Sequence, residues 1–112
     1  MKMINFLQLS KPRRDLIRLC QWVNYGSILN LQVTDGDVSC DIPPEVVLDI
    51  KLDADFKQRP ELDLDDFALS LETCRLLGQI DSLKNGVIEK IVVHDGIPRR
   101  LVFRVPLPEV RR

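Results

Sequence analysis

The sequence matches itself at an offset of 60 residues, and this match constrains the fold more than any other feature. Each copy reads G-x-I-x-x-[LI]-x-V-x-D-G, beginning at Gly26 in the first copy and at Gly86 in the second. Any helix followed by a hairpin could share a glycine stop and an Asp-Gly turn. Because the strand length, the register and the apolar stripe of the helix also coincide at this one offset, we infer a duplicated unit.

In the first copy, the pattern predicts an amphipathic helix followed by a β-hairpin. Ser10 is a favourable N-cap, and Pro12 fits the first turn, where a missing N–H costs nothing. Apolar residues recur at the spacing of one helix face: Leu16, Leu19, Cys20 and Val23. Asp35-Gly36 then separates two alternating runs, which is a strong hairpin signal. In the strand before this turn, the alternation predicts that one face holds Leu29, Leu31 and Val33.

The second copy predicts the same order of elements with a longer helix. This helix begins near Asp63 or Asp65 and runs to about Lys84, where Asn85-Gly86 ends it. The second hairpin has predicted strands over residues 87–93 and 99–105. Between the two copies, the alternating residues 46–52 predict a further strand.

These elements predict an α+β fold. At 112 residues the chain has the length of a single domain, which we assign to residues 1–112. The first repeat covers about 11–42, a connecting strand and acidic loop cover about 43–62, and the second repeat covers about 63–106. Two such helix–hairpin units can pair into one antiparallel sheet of four or five strands, with both helices packed on one face.

The predicted second helix carries two apolar faces. One face holds Leu64, Phe67, Ala68, Leu71 and Cys74, and the opposite face holds Leu76, Leu77, Ile80 and Leu83. Either the helix breaks near Arg75, or its N-terminal half packs against something other than the chain's own sheet. We therefore expect the first face to form the interface of a homodimer, since exposed apolar patches of this size mark interaction surfaces.

Cysteine usage and hydropathy indicate a cytoplasmic protein without a membrane-spanning segment. The three cysteines, Cys20, Cys40 and Cys74, are an odd number, lack CxxC spacing and lie among apolar neighbours. They are better explained as small buried side chains in a reducing compartment than as disulfide partners. Polar residues interrupt the N-terminal segment, so we expect no signal peptide. No run approaches the ~18 apolar residues of a spanning helix.

Catalytic and metal-binding patterns are weak, and we predict no catalytic residue, metal site or cofactor. His94 is the only histidine, and its counterpart in the first copy is Thr34, which suggests a polar position at a strand end. The acidic run 53–66 contains no glycine for the sharp turn of a calcium loop. Its last acids are better explained as favourable charge at the start of a helix.

Two groups of basic residues provide the best argument for an anionic partner. They lie at the first helix and in the C-terminal hairpin: Lys11, Arg13, Arg14, Arg18, Arg99, Arg100 and Arg104. If the hairpin edge lies near the start of the helix, the groups converge on one surface that could bind phosphate. A sequence pI near 5.8 disfavours a nucleic-acid-binding protein, and solvated basic faces are the simpler explanation.

The sequence favours a non-catalytic interaction module that acts as a homodimer and can take a protein partner. One alternative is a nucleic-acid-binding regulator that uses the basic groups of the first helix and the C-terminal hairpin. A second alternative is a small enzyme whose active site lies at the dimer interface. A basic stripe would favour the first alternative, and a deep polar cleft would favour the second.

The homodimer is directly testable. We expect sedimentation equilibrium at micromolar concentration to give twice the 12.9 kDa mass of one chain. A single species at the monomer mass over the same concentration range would contradict the dimer.

Overall fold

Two α-helices and five antiparallel strands form an α+β fold in the computed structural model, which describes residues 4–39, 41–53 and 64–104. This confirms the predicted fold class. After a single 3₁₀ turn, Phe6–Gln8, the elements in chain order are α1 (Lys11–Val23), β1 (Gly26–Thr34), β2 (Asp37–Val38), β3 (Glu45–Leu48), α2 (Leu71–Leu83), β4 (Gly86–His94) and β5 (Ile97–Phe103).

The sheet is organised around the antiparallel pair of β1 and β4. Gly26 lies opposite Val93, and Val33 lies opposite Gly86, so each strand pairs over almost its whole length. β5 continues the sheet beyond β4. The other edge of β1 is shared by β2 at one end and by β3 at the other. The third predicted strand is therefore present, but it ends at Leu48 and does not reach residue 52.

Both helices pack on the same face of this sheet and enclose one apolar core. α1 contributes Leu16, Cys20 and Val23, and α2 contributes Leu76, Leu77 and Ile80. The six central sheet residues of the core are Ile28, Leu31, Val33, Ile88, Ile91 and Val93, each at most 2% exposed. Since neither hairpin has a second apolar layer of its own, the two halves depend on each other for burial.

The predicted alternation of β1 was wrong at its first position, because Ile28 and not Leu29 is buried. Asn30 has φ 57°, a left-handed conformation inside the strand, and this interrupts the alternation between Ile28 and Leu31. β4 has a related irregularity, where Glu89 is an extra residue in the pairing with β5. In both β1 and β4, two residues instead of one therefore separate the first two buried positions of the strand.

The predicted start of the second helix was also wrong. α2 begins at Leu71, and the Ser70 side chain caps it by accepting a hydrogen bond from the Thr73 N–H at 3.1 Å. Asp63 lies outside the described residues, and Asp65 precedes the helix. The segment before Ser70 is held by the N-terminal segment instead: Phe6 N donates to Phe67 O at 2.9 Å, and Leu69 N donates to Ile4 O at 3.0 Å. These long-range bonds satisfy backbone groups that a helix would otherwise have used.

Each Asp-Gly turn is fixed to the end of the helix in the other half of the chain. The N–H of Gly36 donates to Lys84 O at 2.7 Å, and the N–H of Gly96 donates to Asn24 O at 2.9 Å. We call this reciprocal pair the turn-to-cap contacts. Asn24 and Lys84 both have φ near 60° and ψ near −60°, so each helix ends in the same γ-turn conformation. The halves are thus geometrically equivalent at the offset of 60, while their origin by duplication stays a prediction.

The two strand-opening glycines provide a matched test of this geometry. Gly26 and Gly86 have φ 154° and 156°, which side chains rarely adopt. A Cβ at Gly26 would lie 2.0 Å from the carbonyl oxygen of Val47, whereas a Cβ at Gly86 would meet only the flexible Leu83 side chain at 3.2 Å. We expect Gly86→Ala to lower the free energy of unfolding by about 1–3 kcal/mol through backbone strain.

Gly26→Ala should lower the free energy of unfolding by a further ~1–3 kcal/mol, because the β3 backbone must move away from β1. Urea denaturation of both variants measures the difference. Equal losses would contradict the close approach of β3 to Gly26.

Candidate functional site

Arg13 is part of the framework and is not available to a ligand. Its Nε donates to Asp37 at 3.2 Å, and its Nη2 donates to the Gly36 carbonyl oxygen at 2.7 Å and to Asp81. Only 17% of its side chain is exposed. Burial lowers the pKa of Arg13, but the bonds and charges of Asp81 and Asp37 outweigh burial and raise it. The residue joins α1, the first turn and α2.

Two other basic residues of α1, Arg18 and Lys11, also have partners within the chain. The Arg18 guanidinium lies 4.4 Å from the ring centroid of Phe6 and 5.4 Å from that of Phe67, and it donates to Gln21. Lys11 forms an ion pair with Asp15 at 2.9 Å. Arg14 is half-buried. The convergence of this group with the C-terminal arginines stays a prediction.

The C-terminal arginines divide between an isolated ion pair and a groove. Arg104 pairs with Glu89 at 2.7 Å on the surface. Arg99 and Arg100 instead line a depression of about 160 Å³ between α2 and β5, which we call the α2–β5 groove. Its other lining residues are Glu72, Arg75, Leu76, Gln79, Pro98 and Leu101.

The local sequence explains how both walls of the groove form. On α2, residues 72, 75, 76 and 79 follow the spacing of one helix face. On β5, the pairing with β4 slips by one residue, since Pro98 lies opposite Val93 and Arg100 lies opposite Val92. Arg99 is the extra residue. A bulge of this kind re-aims side chains, and here two successive arginines line one groove.

The arginine charges along the groove are unevenly neutralised by neighbouring carboxylates. Arg99 lies 3.7 Å from Glu72 and 4.0 Å from Asp95, so its charge is shared with two carboxylates. Arg75 and Arg100 are exposed, and neither forms an ion pair with any residue in the described ranges. The floor is apolar, because Leu76 and Pro98 are buried and Leu101 is half-buried. Two guanidinium groups beside an apolar floor and one amide suit an anionic ligand.

The equivalent surface in the first half has different chemistry. At the offset of 60, Arg75 corresponds to Asp15, Arg99 to Ser39 and Gln79 to Leu19. The turn-to-cap contacts recur in both halves, whereas most groove positions differ. Sequence reasoning missed Arg75 and Gln79, although comparing the charges of the two copies position by position would have found Arg75, which corresponds to Asp15.

A second pocket, of about 130 Å³, lies at the start of α2. Its lining residues are Ile17, Gln21, Phe67, Ala68, Leu69, Ser70, Thr73, Gly96 and Ile97. None of these side chains is charged. Because Gln21 already accepts a hydrogen bond from Arg18, this pocket has fewer polar groups to offer a ligand than the α2–β5 groove.

The predicted dimer face does not form one surface of a helix. Leu64, Phe67 and Ala68 precede α2, and only Leu71 and Cys74 belong to it. Phe67 stacks on Phe6 within the same chain, with ring centroids 4.8 Å apart. Leu64 and Leu71 are exposed, and Cys74 is half-buried. The predicted helix with two apolar faces was therefore wrong, and homodimerisation stays a prediction.

The candidate reactive groups lie apart from the groove. His94 is exposed at the end of β4, and its ring centroid lies 6.0 Å from that of Tyr25. Burial raises the pKa of the Cys20 thiol to about 12, which makes the thiol unreactive near neutral pH. Within the described ranges, no three His, Cys, Asp or Glu residues gather where they could hold a metal ion.

Comparison with known proteins finds no family model, no curated protein and no solved structure that matches this chain. Neither helix is long and apolar enough to cross a membrane, as judged over the described residues.

Tyr25 gives a pH-dependent test of the contact between the halves. Its hydroxyl donates to Asp95, and this bond raises the pKa of Tyr25 above its usual value of about 10. A raised folded-state pKa means that the bond stabilises the fold below pH ~10 and that this stabilisation is lost as the pH rises through the folded pKa. Tyr25 is the only tyrosine, so ultraviolet absorbance of the phenolate reports its titration directly.

We expect a folded-state midpoint above ~10 and a stability advantage over Tyr25→Phe that disappears at high pH. Asp95→Asn is the matched control, because asparagine also tolerates the left-handed turn position but removes the carboxylate. This control should lower the midpoint. An unchanged midpoint in Asp95→Asn would show that the bond does not set the titration.

Proposed function

We propose that the protein is a non-catalytic binding module whose ligand-binding surface is the α2–β5 groove, and that it takes an anionic ligand. The observation that carries this proposal is the presence of Arg75 and Arg100 without ion-pair partners in the described structure, on the two walls of one groove. Most exposed arginines of small proteins are scattered, and single surface charges need no explanation. Two on facing elements beside Arg99 form a local positive field.

The use of the remaining basic residues supports the same proposal. Arg13 and Arg18 hold elements of the fold together, and Arg104 is paired with Glu89. Arg75 and Arg100 differ from these arginines because they line one groove and have no ion-pair partner in the described structure. An anion placed there gains charge-assisted hydrogen bonds without breaking framework contacts.

The nucleic-acid alternative requires a longer basic track than the groove provides. Binding to a phosphate backbone usually neutralises several phosphates in succession. Three of the four α1 residues expected to extend the track, Lys11, Arg13 and Arg18, contact other residues of the chain instead. A compact anionic ligand or an acidic segment of a protein partner fits the groove better than an extended nucleic acid.

Homodimerisation and a cytoplasmic location remain part of the proposal. Leu64 and Leu71 are exposed apolar side chains that a second copy could cover. The buried Cys20 thiol agrees with a reducing compartment, where disulfides are rare. The alternative of an enzyme at a dimer interface would need a polar cleft completed by the partner chain.

The proposal is tested by amide chemical-shift mapping of the full chain with three anionic probes: inorganic phosphate, a glutamate-rich peptide and a mixed-sequence single-stranded oligonucleotide. We expect at least one probe to shift amides of α2 and β5 selectively. Arg75→Gln and Arg100→Gln should each abolish those shifts, because each removes one unpaired guanidinium. Arg104→Gln is the matched control, since it removes an equal charge from the surface outside the groove.

Two results would overturn this assignment. One is the absence of selective shifts with all three probes at about 50 mM salt, where electrostatic binding is strong. The other is equal weakening by Arg104→Gln and by the groove variants, which would show binding to net charge alone. If oligonucleotide affinity falls several orders of magnitude by ~200 mM salt, the nucleic-acid alternative replaces the proposal.

A further inference from the structure

We propose that the ligand of the α2–β5 groove carries a single phosphomonoester group, bound between Arg75 and Arg100. This inference rests on the proposed anion-binding function and specifies the ligand for the same groove. The shared chemistry is a terminal phosphate, which either a phosphorylated side chain of a protein partner or a small phosphorylated molecule can supply.

The charge of the groove matches one dianion. Arg75 and Arg100 provide two positive charges without ion-pair partners among the described residues. Arg99 adds little net charge, because Glu72 lies 3.7 Å away and Asp95 lies 4.0 Å away. A phosphomonoester carries a charge of about −1.5 to −2 at neutral pH, whereas a phosphodiester or a carboxylate carries about −1. One phosphomonoester therefore neutralises the two arginines.

The side-chain type also favours a phosphate. All three cationic residues of the groove are arginines, and none is a lysine. The planar guanidinium donates two parallel hydrogen bonds to phosphate oxygens, whereas a lysine acts as a point charge. Arg75 and Arg100 approach from a helix and from a strand, so they can bind different oxygens of one tetrahedral group.

Glu72 restricts the ligand to a single anionic group. Its carboxylate lines the same groove at the Arg99 end and would repel a second negative charge placed there. A polyanion that lies along the groove would meet this carboxylate, but a terminal phosphate need not. The apolar floor formed by Leu76, Pro98 and Leu101 strengthens the interaction, because charges attract more strongly beside a low-dielectric surface.

The test compares matched ligands by isothermal titration calorimetry with the full chain. The probes are a phosphoserine peptide, the same peptide with glutamate in place of phosphoserine, phenyl phosphate and its methyl diester. We expect both phosphomonoesters to bind at least about tenfold more tightly than the diester and the glutamate peptide. Tighter binding of the peptide than of phenyl phosphate assigns the group to a modified protein partner, and the reverse order assigns it to a small molecule.

The pH profile provides a second readout. Phosphomonoester affinity should fall as the pH drops below ~6, where the dianion gains a proton. The charged groups that face the ligand are Glu72 and Arg75 on α2 and Arg99 and Arg100 on β5, with Asp95 beside Arg99. The diester measured over the same range controls for titration of these groups and should show a much smaller change.

Three variants complete the test. Arg75→Lys and Arg100→Lys keep the charge but lose paired hydrogen bonding, so each should weaken phosphomonoester binding at least severalfold. Glu72→Gln should strengthen binding severalfold, because it removes the competing carboxylate and leaves Arg99 free to contribute. A gain of affinity of this kind does not arise from misfolding. Arg104→Gln should leave the affinity unchanged.

The outcomes separate this inference from the proposed function. Equal binding of phosphomonoester and diester, or no gain in Glu72→Gln, would overturn the phosphomonoester assignment while groove-dependent anion binding could stand. If none of the probes binds in a manner that depends on Arg75 and Arg100, both proposals fail together.

Discussion

The antiparallel pairing of β1 with β4 is the interaction on which the rest of the structure depends. It brings the apolar faces of two helix–hairpin units onto one sheet, so that six central strand residues are at most 2% exposed. The turn-to-cap contacts then fix each hairpin to the helix of the other half, at 2.7 and 2.9 Å. A hairpin alone has one apolar face and no second layer, and it would be marginal in water. The two halves therefore stabilise each other as one cooperative unit.

This mutual dependence also determines which charged residues remain for a ligand. Arg13 joins α1 to the first turn and to Asp81 of α2, and its loss would leave two carboxylates near each other without a cation. A residue in that role cannot also bind a partner without loosening the fold. Arg75 and Arg100 form no ion pair that holds elements together in the described structure. The two halves differ in the framework, where Arg13 corresponds to Thr73, and also in the groove, where Arg75 corresponds to Asp15.

Local signals in the sequence predicted the local features well. The Ser10 cap and both Asp-Gly turns follow from rules that involve neighbouring residues only. Gly86, which was expected to end the second helix, opens a strand instead, because Lys84 is the C-cap. The start of α2 was missed because backbone bonds from residues far away, at the N-terminal segment, hold the chain before Ser70 extended. Leu29 was placed on the core face because nothing in the pattern revealed the left-handed Asn30. The groove was missed because the docking of α2 against β5 unites Arg75 with Arg100.

The edge position of β5 explains why side chains rather than backbone should recognise the ligand. β5 ends the described sheet, and an open edge invites a further strand. Pro98 lacks an N–H, and the extra residue Arg99 disturbs the regular spacing of the remaining groups. Both features discourage strand addition and, with the arginines, protect the edge. The same bulge that protects the edge also directs two guanidinium-bearing residues toward α2. The proposed recognition at this edge therefore depends on charge and oxygen geometry, which a terminal phosphate satisfies and an added strand does not.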